Sequence, residues 1–178
     1  MTDGMAPRPT RVLLLGMMGS GKSSVGRALA ERTGWPFIDN DALVQRATGR
    51  TARELLRDRG EAAMREAESE ALRAGLGIPA PAIVAIAAGT ITRSEDRDRI
   101  DHGGFVVWLH ARAEVLAARA VGATHRPWLD DDPVAWFRRT IEERAPLYRA
   151  IADLEIDTGS RDPDAAARRV VECLSAEC

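Results

Sequence analysis

The stretch Arg11-Val12-Leu13-Leu14-Leu15-Gly16-Met17-Met18-Gly19-Ser20-Gly21-Lys22-Ser23-Ser24-Val25 decides the fold. Its first five residues form the short apolar run of a buried strand, and residues 16–23 fit the phosphate-binding pattern GxxxxGK[ST]. From Ser24 to Glu31 the apolar residues return at helical spacing. Strand, glycine loop and helix in this order let backbone N–H groups wrap around nucleotide phosphates while the positive end of the helix faces the same charge. All but one of the 25 Lys and Arg residues are arginines, and the exception is Lys22. A slim ammonium reaches along the β/γ bridge, where a planar guanidinium fits badly. Gly19, Ser20, Gly21, Lys22, Ser23 and Ser24 are therefore the candidate nucleotide-binding residues, with the Ser23 hydroxyl a candidate ligand of Mg²⁺.

Length and composition bound the rest. The chain has 178 residues, 45% of them hydrophobic, enough for one globular domain with a layered core. That domain is expected over residues 10–178, behind a disordered leader at residues 1–9. A net charge of −2 supplies no basic field for nucleic acid and no polybasic membrane patch, so neither is an expected partner. Most arginines are interleaved with Asp and Glu as on solvated helix faces, so a functional arginine has to be identified by its position. Cys173 and Cys178 are too few and too close together to staple a fold. With no apolar stretch long enough to span a bilayer, they read as thiols of a reduced, cytoplasmic chain. His102, His110 and His125 lack ligand-like spacing.

Helical and strand-like segments alternate downstream. Phe37-Ile38-Asp39 reads as a short strand and Asp41 to Thr48 as a helix closed by Gly49. Thr51-Ala52-Arg53-Glu54 is a capping box opening a helix that ends near Gly60, and Glu61 to Ala74 reads as a longer one. Pro79-Ala80-Pro81 forces extended chain into a central strand, Ala82 to Ile86. Phe105 to Leu109 is another strand, followed by a helix from Ala113 to Ala120. Asp132-Pro133 and Asp162-Pro163 each place an N-cap acceptor before a proline at the first helical position. Between them Leu154 to Asp157 reads as an edge strand. Such alternation predicts an α/β fold: a parallel sheet, helices on both faces, and ligands at the carboxyl ends of the strands. Asp39, Gly89 and the glycine loop all fall at such ends.

Asp39-Asn40-Asp41 places paired acids beside the loop. One suits the water shell of Mg²⁺, and the other suits orienting or deprotonating an attacking hydroxyl. The simpler alternative for Asp41 is a helix N-cap. Arg65 stands four residues after Glu61, with Glu68 placed to hold its guanidinium; by composition alone it reads as a surface arginine.

With these residues in hand the chain resembles the shikimate kinase family from Arg11 to about Leu174. The carriers are the glycine loop, Gly26-Arg27-Ala28-Leu29-Ala30, Phe37 to Asp41, Gly49-Arg50, Gly60 to Glu68, Arg126-Pro127, and Arg144 to Tyr148. The resemblance implies a three-layer P-loop kinase fold of the nucleoside-monophosphate-kinase type, with a five-stranded parallel sheet and a mobile lid at about residues 122–132. It also implies that ATP, with Mg²⁺, phosphorylates a hydroxyl of a small carboxylated cyclic polyol, shikimate first, on a monomer. In the roles so implied, Ser23 and Asp39 serve the metal, Asp41 holds and deprotonates the acceptor, and Lys22 and Arg126 act on the moving phosphoryl group. Arg65 and Arg144 clamp the acceptor carboxylate, Gly89 lies at the acceptor face, and Arg119, Arg161 and Pro163 frame the adenine.

The departure from the family pattern is Ala87-Ala88-Gly89, where three glycines are usual. Methyl groups there crowd the pocket if close backbone approach is needed, and alanine resists positive φ. The usual aromatic is Met64, and the lid reads His125-Arg126-Pro127-Trp128-Leu129. Two other readings stay open: a kinase for a different small hydroxy acid or cyclitol, and a nucleotide-binding protein without acceptor chemistry. The retained Asp39, Asp41, Arg65, Arg126 and Arg144 favour a catalyst.

Overall fold

A computed structural model describes residues 10–120, 132–159 and 162–175. The expected leader, most of the expected lid with Arg126, and Arg161 lie outside the described residues. Strands β1 (Arg11–Leu15), β2 (Phe37–Asp39), β3 (Ala82–Ala85), β4 (Phe105–His110) and β5 (Leu154–Asp157) form one parallel sheet in the order β2-β3-β1-β4-β5. β1 occupies the centre, β3 is internal, and β5 is the expected edge.

Side chains along β1 alternate between the two faces of the sheet. Val12 and Leu14 pack with Ile83, Val107 and Leu109 against Val25 and Leu29 of α1 (Lys22–Thr33) and Val170 of α7 (Pro163–Leu174). Leu13 and Leu15 join Val84, Val106 and Trp108 on the other face. There they meet α3 (Ala52–Leu76), α4 (Ser94–Asp101), α5 (Ala113–Ala120) and α6 (Pro133–Arg149) through Leu72, Ile100, Leu116 and Phe137. Coverage of both faces is why the strands read as continuous apolar runs. Each fully buried leucine contributes about 1.5–3 kcal/mol.

The helix starts follow from their caps. Asp132 and Asp162 accept from backbone N–H groups at the first turns of α6 and α7, each with proline next in line. Thr51 and Glu54 complete the capping box of α3. The helices expected on either side of Gly60 meet there, at φ 83° and ψ 174°, so α3 is one element broken at a glycine. α2 (Asn40–Thr48) starts one residue earlier than expected because its N-cap is Asp39, whose carboxylate accepts from the Asp41 N–H. The capping alternative weighed for Asp41 is thereby corrected. α4 and a 3-10 turn at Thr90–Thr92 had no counterpart in the sequence reading.

Cys173, read as reduced, is disulfide-bonded. Among the described residues no helix is long and apolar enough to cross a membrane.

Candidate active site

β1, β2 and β3 end on one side of the sheet, and the segments that follow them line one cleft of about 1750 Å³. A pocket for one small ligand measures roughly 300–1,000 Å³, so the cleft has room for two.

At one end stands the glycine loop. Gly16 has φ 142° and Gly21, the N-cap of α1, has φ 91°. A Cβ on Gly16 would overlap the Leu109 carbonyl oxygen, so both conformation and space exclude a side chain. Gly21 makes no side-chain capping bond, and the first turn of α1 presents its N–H groups as helix starts do. The Lys22 ammonium donates to the carbonyls of Gly16 (2.7 Å) and Met17 (3.1 Å). Ser20 is wholly buried.

Ser23 and Asp39, the residues expected to serve the metal, are in direct contact. Ser23 Oγ donates to Asp39 Oδ2 at 2.8 Å, while the other carboxylate oxygen is held by the Asp41 N–H at 3.1 Å. The helix cap thus fixes the carboxylate rotamer, and one oxygen is left beside the serine hydroxyl at the mouth of the loop. A hydroxyl and a carboxylate are the hard oxygen donors that suit Mg²⁺, whose remaining ligands are ordinarily waters and phosphate oxygens. Asp41, in the first turn of α2, lines the same cleft.

Across the cleft the side chains hold one another. Arg65 donates to Glu68 Oε2 (2.9 Å) and Glu61 Oε1 (3.2 Å). A Cβ built on Gly89 would overlap the Arg65 guanidinium. Gly89 has φ −83°, so the absence of a side chain here serves this close approach and not a positive φ. Arg144 donates to the Ala88 carbonyl at 3.2 Å, and the Tyr148 hydroxyl donates to the same oxygen at 3.0 Å. The Arg144 Nε is buried without a partner. Burial pushes the Glu68 carboxyl above its usual range; Arg65 and Arg144 oppose this, and Asp41 reinforces it. Burial likewise pushes the Tyr148 phenol up to about 12, so it stays a proton donor.

The expected adenine-side residues fall at the far end. Arg119 and Pro163 both line the cleft, Pro163 as the first residue of α7. Arg119 donates to the carbonyls of Gly19 (3.1 Å) and Thr158 (2.6 Å), tying the glycine loop to the turn after β5. Thr158 was missed: in sequence it is one small residue in a Thr-Gly-Ser linker. Glu68 holds the Arg65 guanidinium as its spacing suggested, whereas Tyr148 appeared only as a motif member, since nothing in its spacing marks a contact with Ala88.

A shikimate kinase family model matches residues 18–175. The shikimate kinase of Prochlorococcus marinus (strain MIT 9313) is 36% identical over 183 aligned residues, covering 98% of this chain and 94% of its own. That of Paramagnetospirillum magneticum (strain ATCC 700264 / AMB-1) is 39% identical, covering 92% of this chain and 83% of its own. Among solved structures, a shikimate kinase from Acinetobacter baumannii in complex with shikimate gives a TM-score of 0.88 at 30% identity, covering 93% of each chain.

Proposed function

The chain belongs to the shikimate kinase family, and on that premise we propose that it transfers the γ-phosphoryl group of ATP to a ring hydroxyl of shikimate, giving shikimate 3-phosphate and ADP. One observation carries the reading at this chain's own residues: a phosphate cradle and a pair of arginines suited to a carboxylate line the same cleft.

Lys22 and the N–H groups around Gly21 take the β- and γ-phosphates; Arg119 and Pro163 border the adenine. Ser23 and Asp39 would hold Mg²⁺, directly or through its waters, and the ion would supply neutralisation of phosphate charge. Arg65 and Arg144 bind the acceptor carboxylate, a task that favours guanidinium groups because they donate in parallel pairs. Asp41 orients the attacking hydroxyl and accepts its proton as the new O–P bond forms and the bond to the β–γ bridging oxygen breaks. Arg126, outside the described residues, is the proposed lid cation. Little covalent chemistry falls to the protein, whose contribution is position and charge.

The second reading rests on Ala87-Ala88, both of which line the cleft beside Gly89. If their methyls shape the acceptor wall for another hydroxy acid or cyclitol, shikimate is not the best substrate. Purified protein with ATP and Mg²⁺ is assayed for ADP release with shikimate, quinate, gluconate and several cyclitols, and the product is identified by mass. Shikimate should give the highest kcat/KM. A higher value for another acceptor transfers the assignment to it, and ATP binding without turnover of any acceptor rules out the kinase reading.

A further inference from the structure

We propose that Thr158 is a positioning residue for the phosphate cradle: its buried hydroxyl fixes the Ser20–Gly21 peptide so that the Gly21 N–H points at the nucleotide phosphates. The inference rests on reading the glycine loop as a phosphate cradle and is independent of which acceptor is used.

Thr158 follows β5 and is 7% exposed. Its hydroxyl lies 2.9 Å from the Ser20 carbonyl oxygen and 3.0 Å from that of His110. The His110 oxygen already accepts the Thr158 N–H at 2.8 Å, so the single hydroxyl proton is best spent on Ser20. A trans peptide is planar, with its C=O and N–H directed oppositely. A donor that holds the Ser20 carbonyl toward β5 therefore turns the Gly21 N–H the other way, toward the open side of the loop. The preceding peptide is fixed in the same manner. Arg119 holds the Gly19 carbonyl from outside, and the Ser20 N–H on the opposite edge closes the turn onto Met17 O at 3.1 Å.

Arg119 also donates to the Thr158 carbonyl, so Thr158 and Arg119 form one brace between the turn after β5 and two successive peptides of the loop. Gly21 has no Cβ and sits at positive φ, a conformation open to rotation when nothing holds it. Threonine also presents a methyl to the interior, and valine reproduces its shape without the donor. The brace therefore acts on the phosphates at a distance, through the backbone, although Thr158 belongs by sequence to the segment expected near the adenine.

The test separates the two ends of the nucleotide. Tripolyphosphate, ATP and adenosine are titrated calorimetrically into wild-type protein, Thr158→Val and Thr158→Ser. Thr158→Val should weaken tripolyphosphate and ATP about tenfold, equivalent to about 1.4 kcal/mol. Adenosine should change by less than about twofold, and Thr158→Ser should bind all three about as wild-type does. Tripolyphosphate affinity preserved in Thr158→Val, or a loss confined to adenosine, overturns the proposal. So does a Thr158→Ser variant as weak as Thr158→Val, because the hydroxyl is then not the operative group. Should Thr158→Val fail to fold, Thr158→Ala carries the same comparison. If wild-type binds neither tripolyphosphate nor ATP, the cradle reading is wrong and the brace falls with it; shikimate turnover does not enter.

Discussion

The two ends of the cleft are built on different principles. The proposed nucleotide end is mostly backbone from one contiguous segment, residues 16–24, whose shape is set by positive-φ glycines and by carbonyls held from outside. The proposed acceptor end is side chains from separate segments: Asp41 on α2, Arg65 and Glu68 on α3, Gly89 after β3, and Arg144 on α6. These depend on one another, since the Arg65 guanidinium occupies the space a Cβ on Gly89 would take, and Arg144 and Tyr148 share one carbonyl. A backbone site tolerates changes in its neighbours but not in its glycines. A side-chain site is the reverse: each member is replaceable in principle, yet each replacement disturbs the next.

The largest expected effect tests the nucleotide end. Lys22→Ala should lower kcat/KM by about 10²–10³, the loss typical of removing one preorganised charge from a transition state. Lys22→Arg should restore little, because a planar fork cannot take the place of the ammonium on the Gly16 and Met17 carbonyls. Steady-state rates near wild-type in either variant would break the assignment.

Next is the acceptor end. Gly89→Ala should displace the Arg65 guanidinium and raise KM for shikimate as Arg65→Ala does. About 1.5–3 kcal/mol per charged contact corresponds to roughly ten- to a hundredfold. KM for ATP should stay within about twofold in both. Equal damage to both substrates would mean that the two ends are not separable.

Tyr148 sharpens the comparison on a smaller scale. Tyr148→Phe removes one hydrogen bond to the Ala88 carbonyl and should cost about 0.5–1.5 kcal/mol, read as a few-fold rise in shikimate KM. The chain contains a single tyrosine, so tyrosinate absorbance reports this phenol alone. Burial raises its folded-state pKa from 10.0 to about 12. The associated stability is complete below pH 10 and is lost as pH rises toward 12. Folded protein should therefore ionise late, and unfolded protein near the ordinary value. Ionisation at the ordinary value while the fold is intact would place the ring in water.

The smallest effect concerns Glu68. Its folded-state pKa lies above the ordinary 4.5, so its favourable contribution is full below that pH and declines as pH rises through the raised value. Wild-type should lose thermal stability relative to Glu68→Gln as pH rises from 4.5. Parallel Tm profiles would mean that Arg65 neutralises the carboxylate completely.

Much of this was legible in the sequence where a local rule operates. The run Arg11–Leu15, the capping box at Thr51 and the two Asp-Pro starts each specify an element through residues a few positions apart. α4 escaped because Ser94–Asp101 has almost no apolar period; Ile100 is its one buried apolar anchor. Asp39 and Asp41 were hard to separate because either spacing caps a helix, and only the bend out of β2 shows which carboxylate turns back. The sheet order and the Gly89–Arg65 contact depend on chain crossings that no window of sequence contains. Thr158 was silent for a related reason: its partner is a main-chain oxygen 138 residues away, and backbone atoms carry no residue identity.

A solitary lysine also changes what a chemist can do with this protein. Its ε-amine rests on two carbonyls inside the loop, so an amine-directed reagent has one side chain to find, apart from the chain's own amino terminus. Dyes, cross-linkers and coupling resins that ordinarily scatter over a surface would here either leave the fold untouched or strike the place where phosphate binds. Modification of this one side chain, read as a mass increment on the peptide that carries it and withheld by nucleotide, becomes a direct tally of unoccupied molecules.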